Sequence, residues 1–139
     1  MDRQKLRADL IRDEGVKLKP YLCPANRTTI GVGRNLDDLG ITTAEAMTLL
    51  DNDIERINRE LDANLSWWRG RPEHVQRGLG NMAFQLGINR LLGFKKMLSA
   101  LHAGDYETAQ AEGKDSAWYK QTPARAERVL NLFTAKEPT

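Results

Sequence analysis

Glu14, Cys23 and Thr29 are the residues of this 139-residue chain whose types and spacing could do chemistry together. Glu14 is a carboxylate at the end of an amphipathic helical pattern, and Gly15 follows at once as a helix stop. Two β-type runs come next, around Pro20-Tyr21-Leu22 and Thr28-Thr29-Ile30, separated by the turn Pro24-Ala25-Asn26-Arg27. The chain then passes through Gly31-Val32-Gly33. The pattern sets one carboxylate on a rigid helix end, facing a small hairpin that carries a thiol and a hydroxyl.

Acid-assisted cleavage of a glycosidic bond needs such a group. It takes a proton for the leaving oxygen, stabilisation of an oxocarbenium-like centre, and a water or nucleophile. Glu14 is the candidate acid. For that work its pKa must rise above the roughly 4.3 of an ordinary glutamate, and burial against the hairpin is the expected means. A thiol such as Cys23 has an unperturbed pKa of about 8.5 and is mostly neutral at pH 7. If Lys19, Arg27 or Arg34 favours its thiolate, Cys23 is a base or a nucleophile; otherwise it is a small half-buried hydrophobe. Thr29 can hold a water on the face opposite Glu14, or serve as an ordinary strand residue.

The elements that must position these groups follow from periodicity. Residues 2–13 read as a helix, with Leu6, Leu10 and Ile11 as its apolar stripe. Residues 18–33 read as a small antiparallel sheet, and Asn35 to Gly40 as a loop. Thr42 and Glu45 have capping-box spacing and open a helix from Ala44 to about Leu65. That helix is long enough to connect two lobes, and the segment 66–72 breaks it. Val75, Leu79, Met82, Ala83 and Leu86 mark the next helix, which Gly87 ends. Gly78 and Gly80 within it cost about 1 kcal/mol each relative to Ala, so they imply close backbone packing. Shorter helices are predicted over Phe94–Leu101 and Tyr106–Glu112. The last begins at Thr122-Pro123, with Thr122 as N-cap and Pro123 in the first turn. The tail from Ala135 to Thr139 is predicted to fray. The fold class is therefore α+β, mainly helical, with a small N-terminal hairpin sheet joined by a long helix to a C-terminal helical lobe.

Composition bounds what such a fold can do. Hydrophobic residues are 40% and charged residues 29%, as in an ordinary globular protein. The net charge of +2 is too weak, and its Lys and Arg too dispersed, to argue for nucleic acid. One Cys excludes an intrachain disulfide. No apolar run approaches the ~20 residues of a membrane span, and the N-terminal residues do not read as a signal peptide. No Cys/His cluster has metal-ligand spacing and no phosphate-binding glycine loop appears, so neither metal nor cofactor is expected.

Glu14-Gly15, Leu18-Lys19-Pro20-Tyr21 and Thr29-Ile30-Gly31-Val32-Gly33 together resemble the start of the phage-type lysozymes, glycoside hydrolase family 24. Asn81-Met82-Ala83-Phe84-Gln85-Leu86-Gly87, Gly93-Phe94 and the segment from Trp118 to Val129 resemble later blocks of that family, in family order. In the family an Asp commonly stands where this chain has Cys23, though some members carry Cys, and a Thr stands at the position of Thr29. The resemblance implies a single lysozyme-like domain over 1–139. Its N-terminal lobe would span about 13–60 and its C-terminal lobe about 66–135, with helix 2–13 packed on the latter. It implies Glu14, Cys23 and Thr29 as catalytic residues, and Phe84, Gln85 and Arg125 as substrate-binding ones, with Arg125 close to Glu14. The implied activity is that of an endolysin-type muramidase, cleaving the β-1,4 bond between N-acetylmuramic acid and N-acetylglucosamine in peptidoglycan. A lytic transglycosylase using Glu14 alone and a non-catalytic peptidoglycan-binding module are the alternatives. The same resemblance implies a monomer without stable membrane association. It would be made in the bacterial cytoplasm and reach the periplasmic wall with a holin or another export helper.

Overall fold

Asp2 starts the first helix, α1 (Arg3–Glu14), its carboxylate accepting from the Lys5 N–H at 3.0 Å. Gly15, at φ 74°, ends it, and its N–H donates to the Ile11 carbonyl at 2.9 Å. A positive φ is the conformation that glycine adopts without a Cβ penalty, which fixes where α1 stops. The structure, a computed structural model, describes residues 1–136; the last three residues of the tail predicted to fray lie outside the described residues.

Strands β1 (Lys17–Leu22), β2 (Thr28–Gly31) and β3 (Arg34–Asn35) form an antiparallel sheet in the order β1-β2-β3. Tyr21 faces Thr29 and Leu22 faces Thr28 across the first pair; the register is irregular between Lys17 and Tyr21. Pro20, which has no N–H to give to a ladder, lies in that interval. In the second pair Thr29 faces Asn35 and Ile30 faces Arg34. The sheet therefore has a third strand beyond the predicted hairpin. The predicted loop after it contains one turn of helix, α2 (Leu36–Leu39), capped by Asn35, whose side-chain oxygen accepts from the Asp38 N–H at 3.1 Å.

Helix α3 (Thr43–Asn64) opens with the predicted reciprocal cap. The Glu45 N–H donates to the Thr42 hydroxyl at 3.1 Å, and the Thr42 N–H to the Glu45 carboxylate at 2.8 Å. A 3-10 turn (Trp68–Gly70) follows, then α4 (Glu73–Leu86), α5 (Ile88–Leu92), α6 (Lys95–Ala103), α7 (Tyr106–Lys114), α8 (Ala117–Gln121) and α9 (Pro123–Phe133). The mainly helical α+β class expected from the sequence is the one observed. No described helix is long and apolar enough to cross a membrane.

The chain divides into two compact units, Met1–Thr48 and Leu49–Thr139. The first holds α1, the sheet, α2 and the start of α3; among its described residues only Thr29 is buried. The second holds the apolar core, with Leu61, Leu79, Met82, Trp118, Leu130 and Phe133 fully enclosed. Gly78 accounts for the close approach of α4 to α9, because a Cβ there would stand 2.6 Å from Phe133 Cε1. Gly80 meets nothing and borders a cavity instead. Trp68 is buried, its indole N–H donating to Asp62 at 2.7 Å, and Trp67 stacks on His102 with centroids 5.0 Å apart.

Candidate active site

Glu14 is the last residue of α1, and its side chain lies against the β2–β3 turn. A Cβ on Gly33 would stand 2.9 Å from both Cδ and Oε2 of Glu14. The carboxyl group thus rests over the α-carbon of Gly33, itself at φ +65°. Glu14 as a whole remains exposed, so the burial expected of it against the hairpin is reduced to this one close approach.

Cys23 and Thr29 come together at the other end of the hairpin. The Cys23 N–H donates to the Arg27 carbonyl at 3.0 Å, and the Cys23 carbonyl accepts from the Asn26 N–H at 2.8 Å. Asn26 takes φ 62°, the left-handed conformation that asparagine tolerates best among residues with side chains. The Thr29 hydroxyl donates to the Arg27 carbonyl at 2.8 Å. The Cys23 thiol is half-buried and titrates below its ordinary value, first because of hydrogen bonding from the Arg27 main chain and then because of the Thr29 hydroxyl. A hydroxyl has one proton to give. Since Thr29 spends it on the Arg27 carbonyl, the main-chain donor is the steadier support of a thiolate, and the Thr29 oxygen keeps its lone pairs for a water.

Two acidic residues of α2 hold the hairpin tip. The Thr28 N–H donates to Asp37 at 2.7 Å, and Arg27 lies 3.8 Å from Asp38. On the opposite side of the turn, Arg34 makes a two-pronged pair with Glu45, both bonds 2.9 Å, and donates to the Gly40 carbonyl at 3.1 Å. The fork draws the Glu45 carboxyl down from an ordinary 4.5 to about 2, the Arg34 guanidinium first and the Thr42 N–H second. Neither Gly33 nor the Arg34–Glu45 pair is evident from spacing. The signals present were the Gly31-Val32-Gly33 string and the capping box, and neither points to a partner eleven residues away.

Phe84, Gln85 and Arg125 belong to the second unit. Phe84 and Arg125 both line a cavity of about 600 Å³, with Asn81 and Gly80 beside them. Arg125 donates from Nε to the Asn81 side-chain oxygen at 3.0 Å, a partner that sequence reasoning missed. Gln85 is engaged at both ends of its amide: its oxygen accepts from the Trp118 indole at 2.9 Å, and its nitrogen donates to the Thr122 hydroxyl at 3.4 Å. Thr122 therefore stands at the N-cap of α9 without capping it, its hydroxyl donating instead to the Trp118 carbonyl at 3.1 Å. Trp118 itself is 2% exposed, so Gln85 satisfies a buried donor. Among the described residues no cluster of His, Cys, Asp and Glu is placed to hold a metal.

A mainly helical α+β chain with a carboxylate at a helix end, seated on a small sheet, has the features of a lysozyme-type glycoside hydrolase. The family model described as Phage lysozyme matches residues 12–133, and the chain belongs to that family. It is 34% identical to the pre-baseplate central spike protein Gp5 of Enterobacteria phage T4, over 89% of this chain and 26% of that protein. The chain thus spans about a quarter of the spike protein's length. It is 28% identical to probable T4-type lysozyme 1 of Dictyostelium discoideum, covering 87% of this chain and 88% of that one. It is also 30% identical to an endolysin of Acyrthosiphon pisum secondary endosymbiont phage 1, covering 73% of this chain and 69% of the endolysin.

Proposed function

We propose that the chain is a muramidase that hydrolyses the β-1,4 bond between N-acetylmuramic acid and N-acetylglucosamine in peptidoglycan, with Glu14 as its general acid. The observation that carries this reading is the seating of the Glu14 carboxyl over Gly33, at the turn that follows the strand bearing Thr29, with Cys23 in the preceding β1–β2 loop. Glu14 gives its proton to the glycosidic oxygen as the bond to the muramic anomeric carbon breaks. Thr29, its own proton committed to Arg27, accepts a hydrogen bond from a water. That water adds to the anomeric carbon and loses its proton to the Cys23 thiolate, which the hairpin favours. Phe84 offers an apolar edge to a sugar ring and Arg125 a cation to its acidic substituents, while Gln85, next to Phe84 on α4, is held by the Trp118 indole.

Likeness to an endolysin and to T4-type lysozymes supports action on the bacterial wall. In the endolysin reading a monomer made in the cytoplasm reaches the periplasm with a holin or another helper. The direct test is Glu14→Gln, which keeps shape and removes the acid. Lysis of outer-membrane-permeabilised Gram-negative cells should fall by about 10²–10⁴-fold, the usual worth of a general acid, with an unchanged circular dichroism spectrum. Products of the parent should carry reducing muramic ends. Near-parental lysis by Glu14→Gln would remove Glu14 from the mechanism, and anhydro-muramic ends would make the enzyme a lytic transglycosylase.

A further inference from the structure

Glu14 needs a fixed position more than an exposed helix end provides. α1 has no buried residue, and Glu14 is its last one. What the carboxyl meets is the β2–β3 turn, at Gly33. That turn is held from one side only by main-chain pairing, Ile30 with Arg34 and Thr29 with Asn35. From the other side it is held by the Arg34 side chain, which reaches both the Glu45 carboxylate and the Gly40 carbonyl. Glu45 is in turn fixed by the Thr42 N–H at the head of α3. A planar guanidinium matched to a carboxylate by two parallel bonds is geometrically specific as well as charged.

We infer that the β2–β3 turn is the seat of the Glu14 carboxyl, and that Gly33 and Arg34 are positioning residues for it. Gly33 supplies the absence of a side chain under the carboxyl, and Arg34 holds the turn by forking onto Glu45. The inference rests on Glu14 being the acid of the proposed reaction. A side chain at residue 33 displaces Glu14 because the contact atoms are the flexible end of that glutamate. A loosened Arg34 lets the turn shift by a fraction of an ångström, which misplaces a proton donor without abolishing substrate binding.

A matched pair of substitutions isolates the seat. Gly31 and Gly33 have nearly the same φ, +69° and +65°, so alanine is strained in the left-handed region at either place. A Cβ on Gly31 meets nothing within 4 Å, whereas one on Gly33 meets Glu14. Gly33→Ala should therefore lose at least tenfold in kcat on soluble peptidoglycan fragments, with KM within twofold, while Gly31→Ala loses comparable thermal stability and keeps kcat within about twofold. Arg34→Gln should lower kcat per folded molecule in the same way, and the exchange Arg34→Glu with Glu45→Arg should restore most of it. Equal kcat for the two alanine variants would overturn the role of Gly33. A parental kcat in Arg34→Gln, or no recovery in a folded double exchange, would overturn that of Arg34. Glu14→Gln run in parallel separates the two failures. If it retains activity, the assignment of the acid fails; if it is inactive while the seat variants work normally, only the seat fails.

Discussion

By its resemblance to the phage lysozymes Cys23 takes the place of an acid, and its hairpin gives a thiol part of what an acid would have. Hydrogen bonding, from the Arg27 main chain first, lowers its pKa, so the thiolate fraction near neutrality exceeds that of an ordinary cysteine. In the proposed mechanism the thiolate is the active form, so activity that depends on it rises with pH through that lowered pKa and is lost below it. Cys23→Ser should lose most of the lytic rate, since a serine hydroxyl does not ionise in the working range. Cys23→Asp should retain activity and extend it to lower pH, an unperturbed aspartate having a pKa of about 3.9. The measurement is a pH–rate profile of the three proteins. A fully active Cys23→Ser would reduce the thiol to packing and leave Glu14 as the sole titrating group. At this scale residue type singles out the candidates: a carboxylate beside a helix stop, a thiol and a threonine. Gly33 was not legible in this way, because what it offers the Glu14 carboxyl is a missing side chain, and the Arg34–Glu45 pair was not, because its two members lie on different elements.

The elements were legible where they were long or capped. The Thr42–Glu45 box forms as read, and α3, α4 and α9 carry enough turns for a 3.6-residue period to show, whereas α1 buries no stripe and is marked by its Asp2 cap and Gly15 stop. Strand β3, of two residues, and α2, α5 and α8, of four or five, are shorter than the period that would reveal them. They exist because Asn35 and Ser116 cap single turns and because tertiary packing supplies the rest. Glu45 joins two of these elements, serving as the cap partner of α3 and the anchor of β3 through Arg34. Its carboxyl titrates near about 2 in the fold against 4.5 ordinarily. A depressed folded pKa means that its stabilisation is complete above about 4.5 and fades as pH falls through about 2. Acidification across that window should loosen the first unit, seen as loss of chemical-shift dispersion at Thr28–Asn35. Glu45→Gln should start from a less ordered sheet and lose less across the window. Identical acid titrations of the two proteins would show that Arg34 and Glu45 are not coupled.

Across the whole molecule, chemistry and cohesion are divided. The enclosed apolar side chains lie in Leu49–Thr139, while Met1–Thr48 buries Thr29 and relies on glycine-shaped turns, caps and side-chain hydrogen bonds. Burial of apolar surface is the larger source of stability, at roughly 25 cal/mol per Å², and hydrogen bonds add about 0.5–1.5 kcal/mol each. The unit bearing the candidate acid should therefore open at lower free energy than the second unit, as functional segments commonly do. Native-state hydrogen exchange should show the slowest amides in α4 and α9, at Leu79, Val129 and Leu130, and markedly faster ones in β1–β3. Leu79→Ala, which empties a fully enclosed site, should cost about 2–5 kcal/mol and speed exchange of the slowest amides throughout the second unit. Sheet amides that exchanged as slowly as those of α4 in the parent would show that the first unit draws its stability from something other than a core of its own.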